Sequence, residues 1–500
     1  MKELLKSILK RLVPTGSVLQ RTVKSGIWVS ATKFSVRFLQ ILMLIVLARL
    51  LAPRDFGLVG IALLTLGVTR RFTDIGLNAA LIQQKEDNVD SYLDTTWCLE
   101  IARGLLIFGV LFLGAPYIAE LFSEPRATPL IRVLGLAPVF YGLRNPGVVY
   151  FKKDLEFHRD FVYKTSGGIT QFVVGVGYAV YSPTVWALIF ASISRPAIKL
   201  VLSYLLHDYR PWPAFDKAAA KELIDFGKWI TGASIISWIY SQGDDAFVGW
   251  FISATALGFY QYAYRMADTP ATEMSGIISQ ITFPAYSAVQ EDLDQLRSAL
   301  LQSTRFLAFL AFPMSFGIAL VAPSFVRAIL GAEWTPMILT MQILAMYGLL
   351  HAITRNYGEI WKALGRPDLM FKTGSLRIIC IAILIWPLTA RFGIEGTAVV
   401  VTGIYFFPML PLDVYLTAKL TDIDSMALYE EYLYPFVASL IMFGTCWYAR
   451  TLVSVPPLVE FIALIPTGAT IYIVAAFLLE RQFDWGVEQN IQMILSGMRG

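Results

Sequence analysis

Apolar stretches about as long as a membrane is thick recur along nearly the whole chain, separated by short polar connections. An α-helix needs ~20 apolar residues to cross roughly 30 Å of hydrocarbon. The pattern therefore predicts an all-α integral membrane protein with about fourteen transmembrane helices and no connection long enough to form a domain. The predicted spans are 26–48, 56–80, 93–113, 128–150, 161–182, 184–206, 224–250, 256–283, 300–330, 337–361, 369–391, 393–417, 432–452 and 457–479.

Composition agrees with a lipid-embedded fold. Hydrophobic residues make up 56% of the chain and charged residues only 16%, and the mean hydropathy of +0.59 lies outside the usual range of soluble domains. The cysteines and histidines are too scattered for a disulfide framework or a metal site, so we expect buried thiols and no cofactor. These residues are Cys98, Cys380, Cys446, His158, His207 and His351.

Lysine and arginine are unevenly distributed over the connections. They collect at both ends of the chain and in alternate connections, whereas the remaining connections hold far fewer. Because cytoplasmic loops are enriched in basic residues, we predict a protein of the cell membrane with both termini cytoplasmic. Residues 1–25 place leucine and isoleucine at helical spacing against basic residues, which favours an amphipathic helix on the inner leaflet over a cleaved signal peptide.

Two short segments of the first half recur in the second half. Gly26-Ile-Trp28 is matched by Gly227-Lys-Trp229, and the segment 51–57 is matched by 252–258, with one offset (227 − 26 = 201 and 258 − 57 = 201). This predicts two six-helix bundles in a pseudo-two-fold repeat, with a substrate site between them, plus two C-terminal helices. The predicted parts are a basic amphipathic cytoplasmic tail at 1–25, an N-terminal bundle at 26–206, a cytoplasmic linker at 207–223, a C-terminal bundle at 224–417, an inner loop with two extra helices at 418–479 and a cytoplasmic tail at 480–500.

Charged residues lie within several predicted spans, where an unpaired charge is costly. Lys33 and Arg37 share one face of the first span, and no acidic residue three or four positions away neutralises either of them. Cations in such a place require an anion, which predicts a transporter for an acidic substrate. The candidate substrate-binding residues are Lys33, Arg37, Arg70, Arg71 and Arg265, and the candidate ion-coupling or cavity residues are Asp74, Asp244, Asp245 and Asp268.

Polar positions in the second span follow the repeat. A polar stripe facing lipid would be excluded from the bilayer. We therefore expect the polar faces of the second span and of its counterpart in the repeat to meet across water or ligand. With the offset of 201, Arg71 corresponds to Thr272, Asp74 to Ser275 and Asn78 to Ser279.

Other charges have a simpler explanation. Some cations lie close enough to a predicted inner boundary for their side chains to snorkel to the headgroups. Two further pairs are spaced to neutralise themselves on one helix, Glu100 with Arg103 and Arg355 with Glu359. The residues expected to snorkel are Arg195, Lys199, Arg305, Arg355 and Arg377.

Several enzymatic functions are disfavoured. The pair Asp244-Asp245 could suggest the metal site of a sugar-nucleotide transferase, but adjacent helical residues point about 100° apart, and the pair lies within a span. No Walker sequence occurs, which excludes direct ATP hydrolysis as far as motifs can. A glycan polymerase or ligase would normally carry catalytic groups on a large outer loop, and the outer connections are short. Nothing in the sequence indicates nucleic-acid binding.

Several motifs resemble one family. Gly26-Ile-Trp28, Leu47–Gly57, Phe72–Gly76, Ala80–Gln83 and Phe151–Phe157 are similar to segments of the polysaccharide transporters that flip lipid-linked saccharides for O-antigen, colanic acid and teichuronic acid export. These belong to the multidrug/oligosaccharidyl-lipid/polysaccharide exporter superfamily. The resemblance covers most of the chain up to about residue 420 and is strongest in the first 160 residues.

The resemblance implies two six-helix bundles, a cationic central cavity and alternating access. The expected substrate is a polyprenyl-(pyro)phosphate-linked oligosaccharide, whose phosphate suits arginine, and the expected partners are membrane lipids, a coupling Na⁺ or H⁺ and glycan-assembly enzymes. The alternative is an ion-coupled multidrug antiporter of the same fold. The antiporters tend to carry an acidic residue in the first span, where this chain has Lys33 and Arg37, which favours an anionic lipid over an organic cation.

Overall fold

The computed structural model describes residues 18–73, 90–154, 156–217, 234–235 and 238–483. Within these ranges the chain is helical almost throughout and forms no strand, which confirms the predicted all-α class. In lipid every backbone N–H and C=O must find its partner inside the protein, and an α-helix satisfies this within one segment.

Two groups of closely packed helices make up the first half of the described chain. The helix α1 packs along α6, which packs along α7, and α3 packs against α4 and α5. Short helical turns at Pro146–Val149 and Tyr150–Lys153 connect α5 to α6. The helices are α1 (Val18–Leu50), α2 (Pro53–Phe72), α3 (Asp90–Leu121), α4 (Ala127–Leu134), α5 (Leu136–Leu143), α6 (Phe157–Tyr181), α7 (Trp186–Leu206) and α8 (238–251).

The second half contains longer helices, one of which is interrupted. Gly393 has φ 63° and ψ −140°, a backbone conformation that glycine adopts without strain, and it breaks α12. The break falls at the first residue of the predicted span 393–417. The helices are α9 (Ala254–Ala288), α10 (Leu293–Phe325), α11 (Ile338–Ala363), α12 (Asp368–Ile404), α13 (Leu410–Thr421), α14 (Ser425–Leu452) and α15 (Pro457–Phe483).

Each of the fourteen predicted spans coincides, wholly or in part, with helix in the described portion of the chain. Eight helical stretches found there are long and apolar enough to cross a membrane. The chain is therefore a multi-pass membrane protein. The predicted tails at 1–25 and 480–500 lie largely outside the described residues.

The contacts divide the chain into two compact units, Met1–Gly258 and Phe259–Gly500. The first unit buries apolar side chains such as Leu47 and Ile61 completely. The core of the second unit includes Leu300 of α10, Tyr357 of α11 and Val414 of α13. The bundle boundaries drawn from the sequence stay predictions.

Two matched turns of the predicted repeat contact each other inside the first unit. A Cβ atom built on Gly57 would lie 1.6 Å from the carbonyl oxygen of Ala254, and one built on Gly258 would lie 2.2 Å from that of Pro53. With the offset of 201, Pro53 corresponds to Ala254 and Gly57 to Gly258, so the two contacts are reciprocal. A two-fold relation between two segments produces such reciprocity. The repeat of the whole bundle stays a prediction.

Candidate functional site

Three arginines surround a polar cavity in the first unit. Arg70 lies near the end of α2, Arg103 lies on α3, and Arg144 directly follows α5. With Glu100 and Tyr141 they line a cavity of about 170 Å³. Only Arg70 of the three was a candidate from the sequence.

Close contact between α3 and α5 positions these side chains. A Cβ atom built on Gly142 would lie 2.4 Å from the carbonyl oxygen of Glu100, and one built on Gly104 would lie 2.7 Å from that of Pro138. Both glycines therefore stand where a side chain would collide with the backbone of the opposite helix. Because these glycines have no side chain, α3 and α5 pack closely enough for Arg103 and Tyr141 to line the same cavity.

Arg103 connects α3 to the end of α2. Its Nε donates a hydrogen bond to Oγ1 of Thr73 at 3.3 Å, and its Nη2 donates to the carbonyl oxygen of Arg70 at 3.2 Å. The last carbonyls of a helix lack partners within the helix, and a guanidinium satisfies them well. Its Nη1 also lies 3.5 Å from Oε2 of Glu100, so the predicted ion pair is confirmed. That pair is part of the cavity wall as well.

Tyr141 lies close to two of the cavity's guanidinium groups. The guanidinium carbon of Arg70 is 4.8 Å from the centre of the Tyr141 ring, and that of Arg144 is 6.0 Å from the same centre. Such contacts attract a cation to the face of an aromatic ring. The tyrosine thus helps to hold two positive groups at one cavity without adding negative charge.

A second cation and tyrosine meet between α6 and α7. The ammonium nitrogen of Lys199 lies 5.1 Å from the centre of the buried Tyr163 ring. Gly167 of α6 leaves room for this, because a Cβ atom there would be 3.0 Å from Cε of Lys199. Lys199 is half-buried, and its predicted snorkelling stays a prediction. The nearby carboxylate of Asp160 is held by Lys164.

The arrangement of the cavity suits an anion with several oxygen atoms. Three guanidinium groups face it with one carboxylate, an excess of two positive charges (3 − 1). Arginine presents a planar fork of donors that matches phosphate oxygens. A tyrosine face beside these donors offers a surface for a sugar ring or an apolar group.

The remaining predicted cations do not line this cavity. Lys33 is exposed on α1, and Nη1 of Arg37 donates to Oε1 of Gln40 at 3.4 Å. Arg71 is exposed, and its carbonyl oxygen accepts a hydrogen bond from Oγ of Ser234 at 3.5 Å. Arg265 is exposed on α9 in the second unit.

The predicted acidic residues are distributed over both units. Asp244 and Asp245 on α8 are both buried, 9% and 7% exposed. Asp74 lies outside the described residues. Asp268, on α9, has a partner that the sequence did not indicate, because its Oδ1 lies 3.0 Å from Nδ1 of His351 on α11.

Two further charged groups correct the sequence interpretation. Nε and Nη2 of Arg305 donate to the carboxylate of Glu431 at 2.6 and 2.7 Å, which gives this arginine a partner inside the protein. Arg377 is buried and donates to the hydroxyl of Tyr405. Snorkelling is therefore the wrong description for both. Glu359 pairs with Lys362 at 3.0 Å, where the sequence suggested Arg355.

Among the residues that the structure describes, no group of three or more His, Cys, Asp and Glu side chains could hold a metal ion. The same part of the chain contains the three cysteines as free thiols, of which Cys446 is buried and Cys98 and Cys380 are half-buried.

Several known proteins are similar to this chain in sequence or in fold. A family profile described as polysaccharide biosynthesis protein matches residues 46–339. The chain is 26% identical to the lipopolysaccharide biosynthesis protein WzxC of Escherichia coli, over 71% of this chain and 73% of that protein. It is 24% identical to the teichuronic acid biosynthesis protein TuaB of Bacillus subtilis, over 71% and 74%. A structure of the lipid II flippase MurJ superposes with a TM-score of 0.74 at 14% identity, over 91% of this chain and 98% of that one, so the two share a fold.

Proposed function

The chain belongs to the polysaccharide biosynthesis protein family, and we propose that it is a flippase rather than an enzyme. It moves an oligosaccharide linked to a polyprenyl phosphate or pyrophosphate from the cytoplasmic to the outer leaflet by alternating access. The names of the two bacterial relatives and the fold shared with a lipid II flippase support this assignment.

The cavity around Arg70, Arg103 and Arg144 carries the proposal. Its three guanidiniums and single carboxylate, next to Tyr141, suit the phosphate or pyrophosphate of a carrier lipid. When the phosphate of the carrier lipid binds at this point, the prenyl chain remains in the surrounding lipid and the sugars lie in the polar interior. An organic cation would be repelled by the same excess of positive charge.

The other cations are proposed to bind the anion at other steps. Lys33 and Arg37 lie four positions apart on α1, while Arg71 and Arg265 are exposed on α2 and α9. Several moderate binding sites suit transport better than one strong site, because a substrate must also leave. Lys33, Arg37, Arg70, Arg71 and Arg265 are thus the proposed substrate-binding residues.

Location and partners follow from this function. We place the protein in the cell membrane with both termini in the cytoplasm, where the lipid-linked glycan is assembled. Glycan-assembly enzymes are proposed neighbours. A coupling Na⁺ or H⁺ is proposed to bind among Asp74, Asp244, Asp245 and Asp268, since acidic groups inside membranes are commonly part of ion pathways.

Translocation of a fluorescent polyprenyl-pyrophosphate oligosaccharide in proteoliposomes tests the proposal. One variant combines Arg70→Gln with Arg144→Gln, and a second combines Lys33→Ala with Arg37→Ala. Arg391→Gln, an exposed arginine on α12, is the matched control. Each variant is compared with the wild type at equal amounts of folded protein.

We expect the cavity variant to flip the lipid about tenfold more slowly or worse, because a hydrogen bond to a charged group is worth roughly 1.5–3 kcal/mol. The Lys33/Arg37 variant should also be impaired, and the control should match the wild type. A wild-type protein that moves no lipid-linked glycan but exchanges organic cations would contradict the proposal and establish the multidrug antiporter.

A further inference from the structure

Two cationic side chains of α7 extend across the neighbouring helix α6. A Cβ atom built on Gly167 of α6 would lie 3.0 Å from Cε of Lys199 and 3.3 Å from Cγ of Arg195. Both cations are half-buried, and neither lines the cavity around Arg70. Arg195 and Lys199 therefore lie together where α6 and α7 pack along each other.

The charge around Lys199 is not balanced. Of the charges on described residues that act on its ammonium group, three are cations that repel it and one is a carboxylate that attracts it. The cations are Arg144, Lys164 and Arg195, and the carboxylate is that of Asp160. Oδ2 of Asp160 lies 2.5 Å from Nζ of Lys164, so this carboxylate is already paired. Without Arg144, which belongs to the cavity, three cations share one carboxylate, an excess of two positive charges (3 − 1).

A buried donor beside Lys199 has no acceptor within the described part of the chain. Nε of Arg195 is buried there without a hydrogen-bond partner. Buried N–H groups nearly always have a partner, and an unpaired donor on a charged group is costly. The buried ring of Tyr163 lies next to the same groups, with its centre 5.1 Å from the Lys199 nitrogen. An anion bound by Arg195 and Lys199 would supply both the acceptor and the missing negative charge.

A phosphate monoester has the charge and shape that this cluster requires. The guanidinium of Arg195 offers a planar fork of donors that matches two phosphate oxygens, and the ammonium of Lys199 adds a compact point charge. A phosphate monoester carries about 1.5 to 2 negative charges at pH 7, which balances an excess of two positive charges. A phosphodiester or a carboxylate carries a single charge and would leave the excess only half compensated.

We propose that Arg195 and Lys199 form a second anion site, which binds the phosphate monoester of a membrane lipid. The guanidinium of Arg144 connects this site to the cavity, because it lines the cavity and also acts on Tyr163 and Lys199. Two lipids that carry such a group are a polyprenyl phosphate without sugars and phosphatidic acid. The inference concerns binding alone and does not depend on flipping.

Native mass spectrometry of the purified protein in detergent, titrated with lipid, tests the site. The ligands are polyprenyl phosphate, phosphatidic acid and, as a phosphodiester, phosphatidylglycerol. The variant combines Arg195→Gln with Lys199→Gln. The matched control combines Arg391→Gln with Lys419→Gln and removes the same two charges from exposed positions of the second unit.

We expect the site variant to bind a phosphate monoester about tenfold more weakly than the wild type, because charged donors are lost, and the control to bind it unchanged. Weakening for polyprenyl phosphate alone assigns the site to the carrier lipid, and weakening for phosphatidic acid alone assigns it to the phospholipid. Weakening for both shows that the phosphate group itself is recognised.

Three results would overturn the inference: a site variant that binds like the wild type, a control that is weakened equally, or phosphatidylglycerol bound as tightly as the monoesters. The method resolves each bound lipid, so the cavity and the second site are observed separately. Arg70→Gln should leave the second site intact, and failure of the cavity is thereby distinguished from failure of this inference.

A charge-conserving variant tests the geometry of the site. Arg195→Lys keeps a long cationic side chain but removes the planar fork. Snorkelling, which the sequence predicts for Arg195 and Lys199, requires only such a side chain. We expect Arg195→Lys to bind the monoesters several-fold more weakly at an unchanged thermal midpoint. Full binding by this variant would overturn the site and leave snorkelling as the role of both cations.

Discussion

A charged side chain within a membrane helix is stable where a group of opposite charge pairs with it. Arg305 on α10 meets this condition through Glu431 on α14, since its Nε and Nη2 donate to the carboxylate at 2.6 and 2.7 Å. Bidentate pairs of this kind are shorter and stronger than neutral hydrogen bonds. The ion pair therefore fixes α10 against α14, two helices that also pack along each other.

Replacing Arg305 with glutamine should destabilise the second unit. The substitution leaves the carboxylate of Glu431, only 11% exposed, without its cation. We expect the unfolding free energy to fall by about 2 kcal/mol, measured as a lower thermal midpoint of the purified protein in detergent. Arg391→Gln serves as the control with an exposed arginine, and an equal midpoint for the two variants would show that the ion pair contributes nothing.

The sequence could identify charged positions but not their partners. Glu431 is 126 residues from Arg305 (431 − 305), and His351 is 83 residues from Asp268 (351 − 268), so no helical spacing connects either pair. Closeness to a predicted inner boundary suggested snorkelling for Arg305, whereas the fold supplies a counter-ion. The Arg103 and Arg144 positions were missed for the same reason, although the glycines at 104 and 142 were a usable signal of close helix packing.

At the scale of elements, the linker that follows α7 is fastened to the first unit. Oδ1 of Asp94 on α3 accepts hydrogen bonds from the hydroxyl of Tyr209 at 2.7 Å and from the backbone N–H of Trp212 at 2.8 Å. The amide of Asn145 donates to the carbonyl oxygen of Tyr209 at 2.6 Å. One carboxylate thus holds two points of a segment that has no regular secondary structure of its own.

Asp94→Ala should release this linker without unfolding the helices. Loss of two hydrogen bonds to a charged acceptor should raise the rate of chymotrypsin cleavage after Tyr209 by about tenfold, because local opening controls cleavage. Limited proteolysis in detergent measures the rate. Asp154→Ala, an exposed aspartate between α5 and α6, is the control, and equal rates in both variants would contradict the role of Asp94.

Apolar spacing was sufficient to predict the helices themselves, because span length is set by the bilayer rather than by tertiary packing. Each of the fourteen predicted spans coincides, wholly or in part, with described helix. Details that depend on tertiary packing were harder to predict from the sequence. The break at Gly393 matched a predicted boundary, but the division of 128–150 into α4, α5 and helical turns did not follow from hydropathy.

At the scale of the whole molecule, the family predicted from the motifs is confirmed by the profile match and the relatives. The reciprocal contacts of Gly57 with Ala254 and of Gly258 with Pro53 join two turns that are distant in sequence. Only glycine fits at these two positions, because a Cβ atom added to Gly57 or Gly258 would lie 1.6 or 2.2 Å from a carbonyl oxygen. They are therefore positions where a single methyl group should affect the fold.

Gly57→Ala and Gly258→Ala should each lower the unfolding free energy by about 1–3 kcal/mol, because the backbones must separate. Gly109→Ala, on α3, is the matched control, since nothing lies within 4 Å of the place its Cβ would take. That control should be neutral or slightly stabilising, as alanine favours helix over glycine. Thermal midpoints in detergent test this, and two glycine variants as stable as the control would refute the close approach.

The reciprocal contact also has a bearing on ancestry. A half-length chain carrying only the first turn would already contain both surfaces, the glycine at 57 and the carbonyl of Pro53. Two identical copies of such a chain could make the contact twice around one symmetry axis, as a closed dimer. Duplication and fusion of one short gene would then have preserved an interface that first joined separate molecules. Gly57 and Gly258 should therefore be present together, or absent together, in related chains.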